Sequence, residues 1–241
     1  MDLLGIPISR LKREETLEKV KQFLSEPAWH RIATVNPEFL VLAERDDVFR
    51  QALLDADLCV ADGFGVVLAG WFFGEPVTRF PGADLLDEIL KIADEKKLSV
   101  YLAIRKDGLS SDEEIKSVLL QKYPNLIIDG MELDIKVGHT SYVIPHTSNI
   151  VFCNFGAPDQ ELFLESLRNN PGSIRLAMGV GGSFDYLTGK QKRAPKILRA
   201  LGLEWLWRFI LQPKRFKRIW NAVVIFLLLV FLSWQKSKKR L

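Results

Sequence analysis

Six stretches of the chain are apolar with little alternation: Arg31–Val35, Leu58–Asp62, Leu98–Ile104, Leu126–Ile128, Ile150–Phe155 and Ile174–Val180. Such runs are expected of parallel strands covered on both faces. Between them, apolar positions recur at helical spacing over Glu14–Leu24, Pro37–Leu54, Ala83–Lys96, Ser111–Lys122 and Pro158–Arg168. The alternation predicts a doubly wound, mostly parallel, Rossmann-like α/β domain. In such sheets a ligand lies beyond the carboxyl ends of the strands, so the residues just after each strand are the candidates for chemistry.

The pattern changes near the C-terminus. Ala222–Leu232 is an unbroken aliphatic run between the basic clusters Lys214–Arg218 and Lys236–Arg240. From Lys190 to Leu241 there are 14 Lys and Arg against one acid, Glu204, while residues 1–189 hold 19 basic and 29 acidic residues. The near-neutral chain thus divides into an acidic core, 1–195, and a basic helical appendage, 196–241. Spanning a bilayer takes about 20 apolar residues, and Ile219 to Trp234 offers 16 with Asn221 among them. A monotopic helix on an anionic membrane surface, with Trp220 and Trp234 at its margins, is the expectation. The competing expectation is a helix packed on the protein's own core or on a second copy in a homo-oligomer. Nucleic acid is disfavoured, because aliphatic side chains have no part in phosphate or base contact and no nucleic-acid motif accompanies the charge.

The start, Met1-Asp-Leu-Leu-Gly-Ile-Pro7, lacks the basic and long apolar regions of a signal peptide, which predicts a protein at the cytoplasmic face of the membrane, peripheral or monotopic. Cys59 and Cys153 lie in apolar strands and read as buried thiols. His30, His139 and His146 show no metal-ligand spacing.

The strand ends are polar or glycine-rich. Asp62, before Gly63 and Gly65, is placed as a general base or as a helix cap. Thr34 and Asn36 are sheet-edge ligands or caps of the helix begun at Pro37. Gly179-Val-Gly181-Gly182 resembles a turn whose N–H groups face a diphosphate, yet neither a dinucleotide fingerprint nor a P-loop is present, so no cofactor is expected. Asp55-Ala-Asp57 has the form of a metal-binding pair but precedes its strand, at the wrong end of the sheet, and reads as a solvated helix terminus.

Taken in order, Thr34-Val-Asn-Pro-Glu38, Ala61-Asp-Gly-Phe-Gly-Val-Val67, Arg79-Phe-Pro-Gly-Ala-Asp-Leu85, Gly156-Ala-Pro-Asp-Gln-Glu161, Gly179-Val-Gly-Gly-Ser-Phe-Asp185, Gly189 with Arg193-Ala-Pro195, and Gly202-Leu-Glu-Trp-Leu-Trp-Arg208 with Pro213-Lys-Arg215 resemble the WecG/TagA/CpsF family of bacterial glycosyltransferases. The resemblance implies inverting transfer of a sugar, typically N-acetylmannosamine, from a UDP donor to N-acetylglucosaminyl-diphospho-undecaprenol, without a catalytic metal. It implies Asp62 as the base, with Thr34 and Asn36 beside it. Arg79 becomes a pocket arginine, and Gln160 lies in the Gly156–Glu161 loop near the donor. Gly179, Gly181, Gly182 and Asp185 fall on the substrate side, and Arg208, Arg215 and Arg218 on the diphosphate. The chain departs from the family pattern at Ala103–Gly108, where a Gly-Gly turn is usual, at Asp159, and over the irregular segment from Asp129 to Ile150.

Overall fold

The computed structural model describes residues 1–134, 144–145, 147–211 and 220–238. A two-stranded antiparallel hairpin, β1 (Asp2–Leu3) and β2 (Ile6–Pro7), precedes a six-stranded sheet. That sheet comprises β3 (Arg31–Val35), β4 (Leu58–Ala61), β5 (Ser99–Arg105), β6 (Ile127–Leu133), β7 (Ile150–Cys153) and β8 (Leu176–Gly179), in the order β4-β3-β8-β7-β5-β6. Every neighbouring pair is parallel. All six expected strands are present and, β6 apart, they are almost wholly buried.

Helices cover both faces. One core layer packs α1 (Arg13–Ser25), α5 (Gly82–Lys96) and α6 (Asp112–Lys122) on the sheet, with Val20, Leu86, Ile89, Ile115 and Leu119 inside. A second gathers α2 (Pro37–Ala43), α3 (Asp47–Leu54) and α4 (Phe64–Phe72) around Phe39, Leu40, Phe49 and Val66. A third places Phe163 and Leu164 of α7 (Asp159–Ser166) against Tyr101 and Val151. Asp46 breaks the single helix expected over Pro37–Leu54, because its carboxylate caps α3 by accepting from Phe49 N–H at 2.9 Å.

Arg31, with no exposed surface, anchors α7 to the sheet. Its Nη1 donates to Glu161 at 2.6 Å and its Nε to Glu165 at 3.1 Å, and Nη2 donates to the Ala52 carbonyl. The Arg31 N–H donates to Asp57 at 2.8 Å. The Asp55-Ala-Asp57 pair therefore serves the amino end of the sheet, and Arg168 donates to the Asp55 carbonyl there. Among the described residues no group of three or more His, Cys, Asp or Glu could hold a metal ion. His139 and His146 lie outside the described residues. Cys59 and Cys153 are buried and unpaired. Burial pushes the Cys59 thiol up to about 12 and Cys153 well above its usual value.

After α8 (Ser183–Leu187) the chain runs through α9 (Lys196–Ala200) and α10 (Glu204–Leu211), and later through a π-helical turn, Asn221–Ile225, into α11 (Phe226–Lys238). One face of α11 joins the core: Phe226 and Val230 are buried in the α2–α4 layer. The opposite face, with Leu227, Leu228, Phe231 and Leu232, is exposed. The helix thus meets the competing expectation of packing on the protein's own core, through one of its two faces. Among the described residues no helix is long and apolar enough to cross a membrane.

Candidate active site

Five of the six parallel strands deliver side chains to one cleft of about 320 Å³ at their carboxyl ends. β3 brings Thr34 and Asn36, β4 Asp62, β5 Arg105 and Asp107, β7 Asn154 and Gly156, and β8 Gly181, Gly182 and, from α8, Asp185. Glu204 and Trp207 of α10 close one side.

Asp62 continues β4, its N–H donating to the Val35 carbonyl at 2.9 Å. Its carboxylate accepts from the Gly82 N–H at 2.7 Å, at the first turn of α5. It therefore caps, but not the helix that follows it: Gly63 stands at the N-cap of α4 with no side-chain cap. A carboxylate at a helix amino terminus is favoured by the unpaired N–H groups and the macrodipole. Gly82 suits this arrangement, since a Cβ there would lie 3.2 Å from Thr34 Oγ1, tighter than an ordinary contact. Thr34 is buried against that turn. Asn36 is the cap of α2, its Oδ1 accepting from Glu38 N–H at 2.9 Å and Phe39 N–H at 3.2 Å. The carbonyl end of that amide is committed to the helix, while the residue still lines the cleft.

Gln160 reaches the cleft from α7. Its Oε1 accepts from Gly156 N–H and from Gly181 N–H, each at 3.1 Å, and its Nε2 donates to the buried Glu161 at 3.1 Å. One amide thereby joins the loops after β7 and β8. In the Gly179–Gly182 turn, whose N–H groups were expected to face a diphosphate, the Gly181 N–H is instead spent on Gln160. Gly179 does not line the cleft. A Cβ on it would come 2.2 Å from Gln160 Nε2, so its lack of a side chain makes room for that amide. Burial pushes the Glu161 carboxyl up, against the opposing pull of Arg31 and Gln160. Asp185 accepts from the Ser110 hydroxyl at 2.8 Å, tying α8 to the loop before α6.

Arg79 also departs from expectation. It is not among the residues lining the cleft; its Nε donates to the Asp62 carbonyl at 2.8 Å, its Nη1 to the Arg199 carbonyl at 2.8 Å and its Nη2 to Glu204 at 2.9 Å. The guanidinium fork fits three acceptors on three segments and braces α9 and α10 against the end of β4. Asp84 adds to this brace with an ion pair to Arg193 at 2.7 Å. Gly202, in left-handed backbone at φ 72°, lies so close to Phe64 that a Cβ would sit 2.2 Å from the ring. Arg208 falls on α10, but its side chain lies outside what the structure describes, as do Arg215 and Arg218 altogether.

Arg105, Glu204 and Trp207 are cleft residues that strand-end reasoning did not select. Asn154 stood in the sequence as a strand-end residue; its Oδ1 accepts from Arg105 N–H at 2.6 Å. Five described acids line the cleft: Glu38, Asp62, Asp107, Asp185 and Glu204. The described cations are Arg105 and Arg193, and Arg193 is already paired with Asp84. Arg105 Nη1 reaches only the Phe155 carbonyl, at 3.4 Å, among the contacts seen.

The profile of the Glycosyl transferase WecG/TagA/CpsF family matches residues 1–240. An N-acetylglucosaminyldiphosphoundecaprenol N-acetyl-beta-D-mannosaminyltransferase of Staphylococcus aureus strain MRSA252 is 31% identical over 249 residues, covering 99% of this chain and 95% of that protein. The protein of the same name in strain NCTC 8325 / PS 47 is 31% identical over 251 residues, with the same coverage.

Proposed function

The chain belongs to the WecG/TagA/CpsF family and is a glycosyltransferase, and from that premise we propose that it moves N-acetylmannosamine from a UDP donor to N-acetylglucosaminyl-diphospho-undecaprenol. The product is an intermediate of a cell-surface polymer such as a teichoic-acid linkage unit. The observation that carries this reading is the end-to-end match to mannosaminyltransferases of that name, at 31% identity over 99% of the chain.

In the proposed reaction Asp62 takes the proton from the acceptor 4-hydroxyl as its oxygen attacks the anomeric carbon. The bond from that carbon to the diphosphate oxygen breaks, UDP leaves with the electron pair, and the configuration inverts. Thr34 and Asn36 flank the attacking hydroxyl. Gly156, Gly181, Gly182 and Asp185 shape the donor side, and Gln160 holds its two loops in register. A diphosphate needs cations, and Arg105 is the described cleft cation without an acidic partner in the contacts seen, so we assign it to the donor phosphates. Arg208, Arg215 and Arg218 are assigned to the acceptor diphosphate. The segment 196–241 forms the unit that brings the enzyme to the cytoplasmic leaflet, as a peripheral or monotopic protein. No metal enters this scheme.

A second reading keeps the fold and base and changes the donor sugar. Arg105, Asp107 and Gly108, from the turn that stands in place of the family's Gly-Gly, line the cleft and favour it. A catalytically silent membrane-recruiting subunit is opposed by the convergence of Asp62, Thr34 and Gln160 on a single cleft. The deciding experiment offers a panel of UDP-sugars to the purified chain with a short-prenyl diphospho-N-acetylglucosamine acceptor, with and without EDTA. Metal-independent transfer of N-acetylmannosamine is expected. Transfer of only another sugar would move the protein to the second reading, and no transfer from any donor would remove the enzyme assignment.

A further inference from the structure

Fourteen of the twenty large apolar side chains exposed among the described residues fall on α4 or between residues 197 and 232. Helix α4, Phe-Gly-Val-Val-Leu-Ala-Gly-Trp-Phe, carries no charge or polar side chain. A surface helix of a water-facing domain ordinarily keeps one polar face. Here Val66, Val67 and Ala69 are buried, while Leu68, Trp71 and Phe72 are exposed, Trp71 by 60%.

The surroundings of α4 make this face continuous with the tail. At its start, Phe64 packs on Gly202, between α9 and α10. Gly65 lies against the Phe226 ring of α11, which a Cβ would meet at 3.4 Å, an ordinary contact, while the same Cβ would crowd Pro37 Cγ at 2.7 Å. At its end, the Phe72 ring lies 5.0 Å from that of Trp234, over which Lys238 Nζ sits at 4.2 Å. α4 is thus held between two parts of the appendage, with its outer side chains uncovered.

We propose that α4 is part of the membrane-contact surface: Leu68, Trp71 and Phe72 enter the apolar layer of an anionic bilayer beside Leu228, Phe231 and Leu232 of α11. The inference rests on the membrane reading above and extends it from the tail to the catalytic core. Charge selects the bilayer over a second copy of the chain. A symmetric pairing through this face would bring two basic tails together, whereas anionic headgroups compensate them. Indole and lysine at the margin suit the headgroup boundary. The consequence is geometric: α4 starts two residues after Asp62, and eight residues of helical rise place Phe72 about 12 Å further on. A core docked through α4 holds its base at a fixed height above the lipid, where the head of a prenyl-linked sugar stands.

The test uses the full chain and vesicles of phosphatidylglycerol and phosphatidylethanolamine. The double variant Trp71→Glu/Phe72→Glu should bind at least about tenfold more weakly in flotation, with unchanged turnover of a water-soluble, short-prenyl acceptor and reduced turnover of the long-chain acceptor in vesicles. Trp71→Phe, which preserves the fold, should lose part of the tryptophan quenching given by brominated lipids. If the wild type floats and the double variant floats equally well, or if quenching is unchanged in Trp71→Phe, α4 is not in the bilayer. Failure of the wild type itself to float would overturn the membrane reading and this inference together. Conversion of a wild-type dimer to a monomer by the double variant, with flotation unchanged, would assign the face to contact between copies and overturn the bilayer assignment.

Discussion

The Asp62 carboxylate accepts the Gly82 N–H at 2.7 Å, so the proposed base is aimed by the first turn of a helix that begins twenty residues after it. An amide oxygen can accept the same hydrogen bond, and this makes Asp62→Asn a clean probe. The variant should keep its fold and nucleotide affinity while turnover falls about 10²- to 10⁴-fold. Asp62→Ala should lose the aim as well as the base, and with it some thermal stability. Single-turnover kinetics alongside calorimetric UDP titration separate these effects; a wild-type rate in Asp62→Asn would remove the residue from the chemistry.

Gln160 should act on two properties at once. Gln160→Leu deprives two glycine N–H groups and buried Glu161 of their partner, costing about 1–3 kcal/mol of stability and weakening donor binding. Gln160→Glu sets a second carboxylate against Glu161, whose own carboxyl burial already pushes up. Its penalty should be largest at neutral pH and shrink on acidification, as one of the pair takes up a proton. Chemical denaturation at several pH values reads this, and a pH-independent difference would refute the pairing.

The brace between Arg79 and Glu204 is half-sheltered, at 17% and 22% side-chain exposure. Arg79→Ala should lower activity by letting α9 and α10 drift from the end of β4, with UDP affinity retained. Arg79→Lys should rescue little, because one ammonium cannot reach three acceptors in the geometry of the fork. A double-mutant cycle with Glu204→Gln should return a coupling of about 1 kcal/mol. Additive effects would mean that the two residues act apart.

Arg105→Gln should weaken UDP binding about tenfold and leave uridine binding unchanged, since removal of a guanidinium is felt only where phosphate is present. Competition titrations with both ligands test the assignment. Equal losses for UDP and uridine would place Arg105 on the nucleoside instead.

The tail should not be separable from the core. Removing residues from Asn221 onward uncovers the seat of Phe226 and Val230, so the truncated chain should melt earlier and aggregate. Phe226→Ala alone should cost about 3–5 kcal/mol. Leu228→Gln with Leu232→Gln, on the outer face, should change stability by less than about 0.5 kcal/mol each and still reduce vesicle binding. A truncated chain that melts like the full one would contradict the docked helix.

The apolar runs determined the fold to a large extent. A strand buried on both faces must be apolar along its length, so all six strands, their parallel class and the cleft at their carboxyl ends could be read from local pattern. Asp62, Thr34, Asn36 and Asp185 were selected for the same reason and do meet in that cleft. Helix α4 was missed because nine apolar residues in succession carry no helical period, and the break at Asp46 because a cap is one short-range hydrogen bond within a longer periodic stretch.

Only tertiary structure decided what the polar groups do once gathered. Arg79 turns from the cleft because its acceptors lie on segments up to 125 residues away. Gln160 spends its oxygen on Gly156 and Gly181 rather than on a ligand. The tail's apolar run is uniform in sequence, and packing alone divides it into a buried and an exposed face. Hydrophobic pattern is a property of neighbours along the chain, whereas a hydrogen-bond partner is chosen by proximity in space.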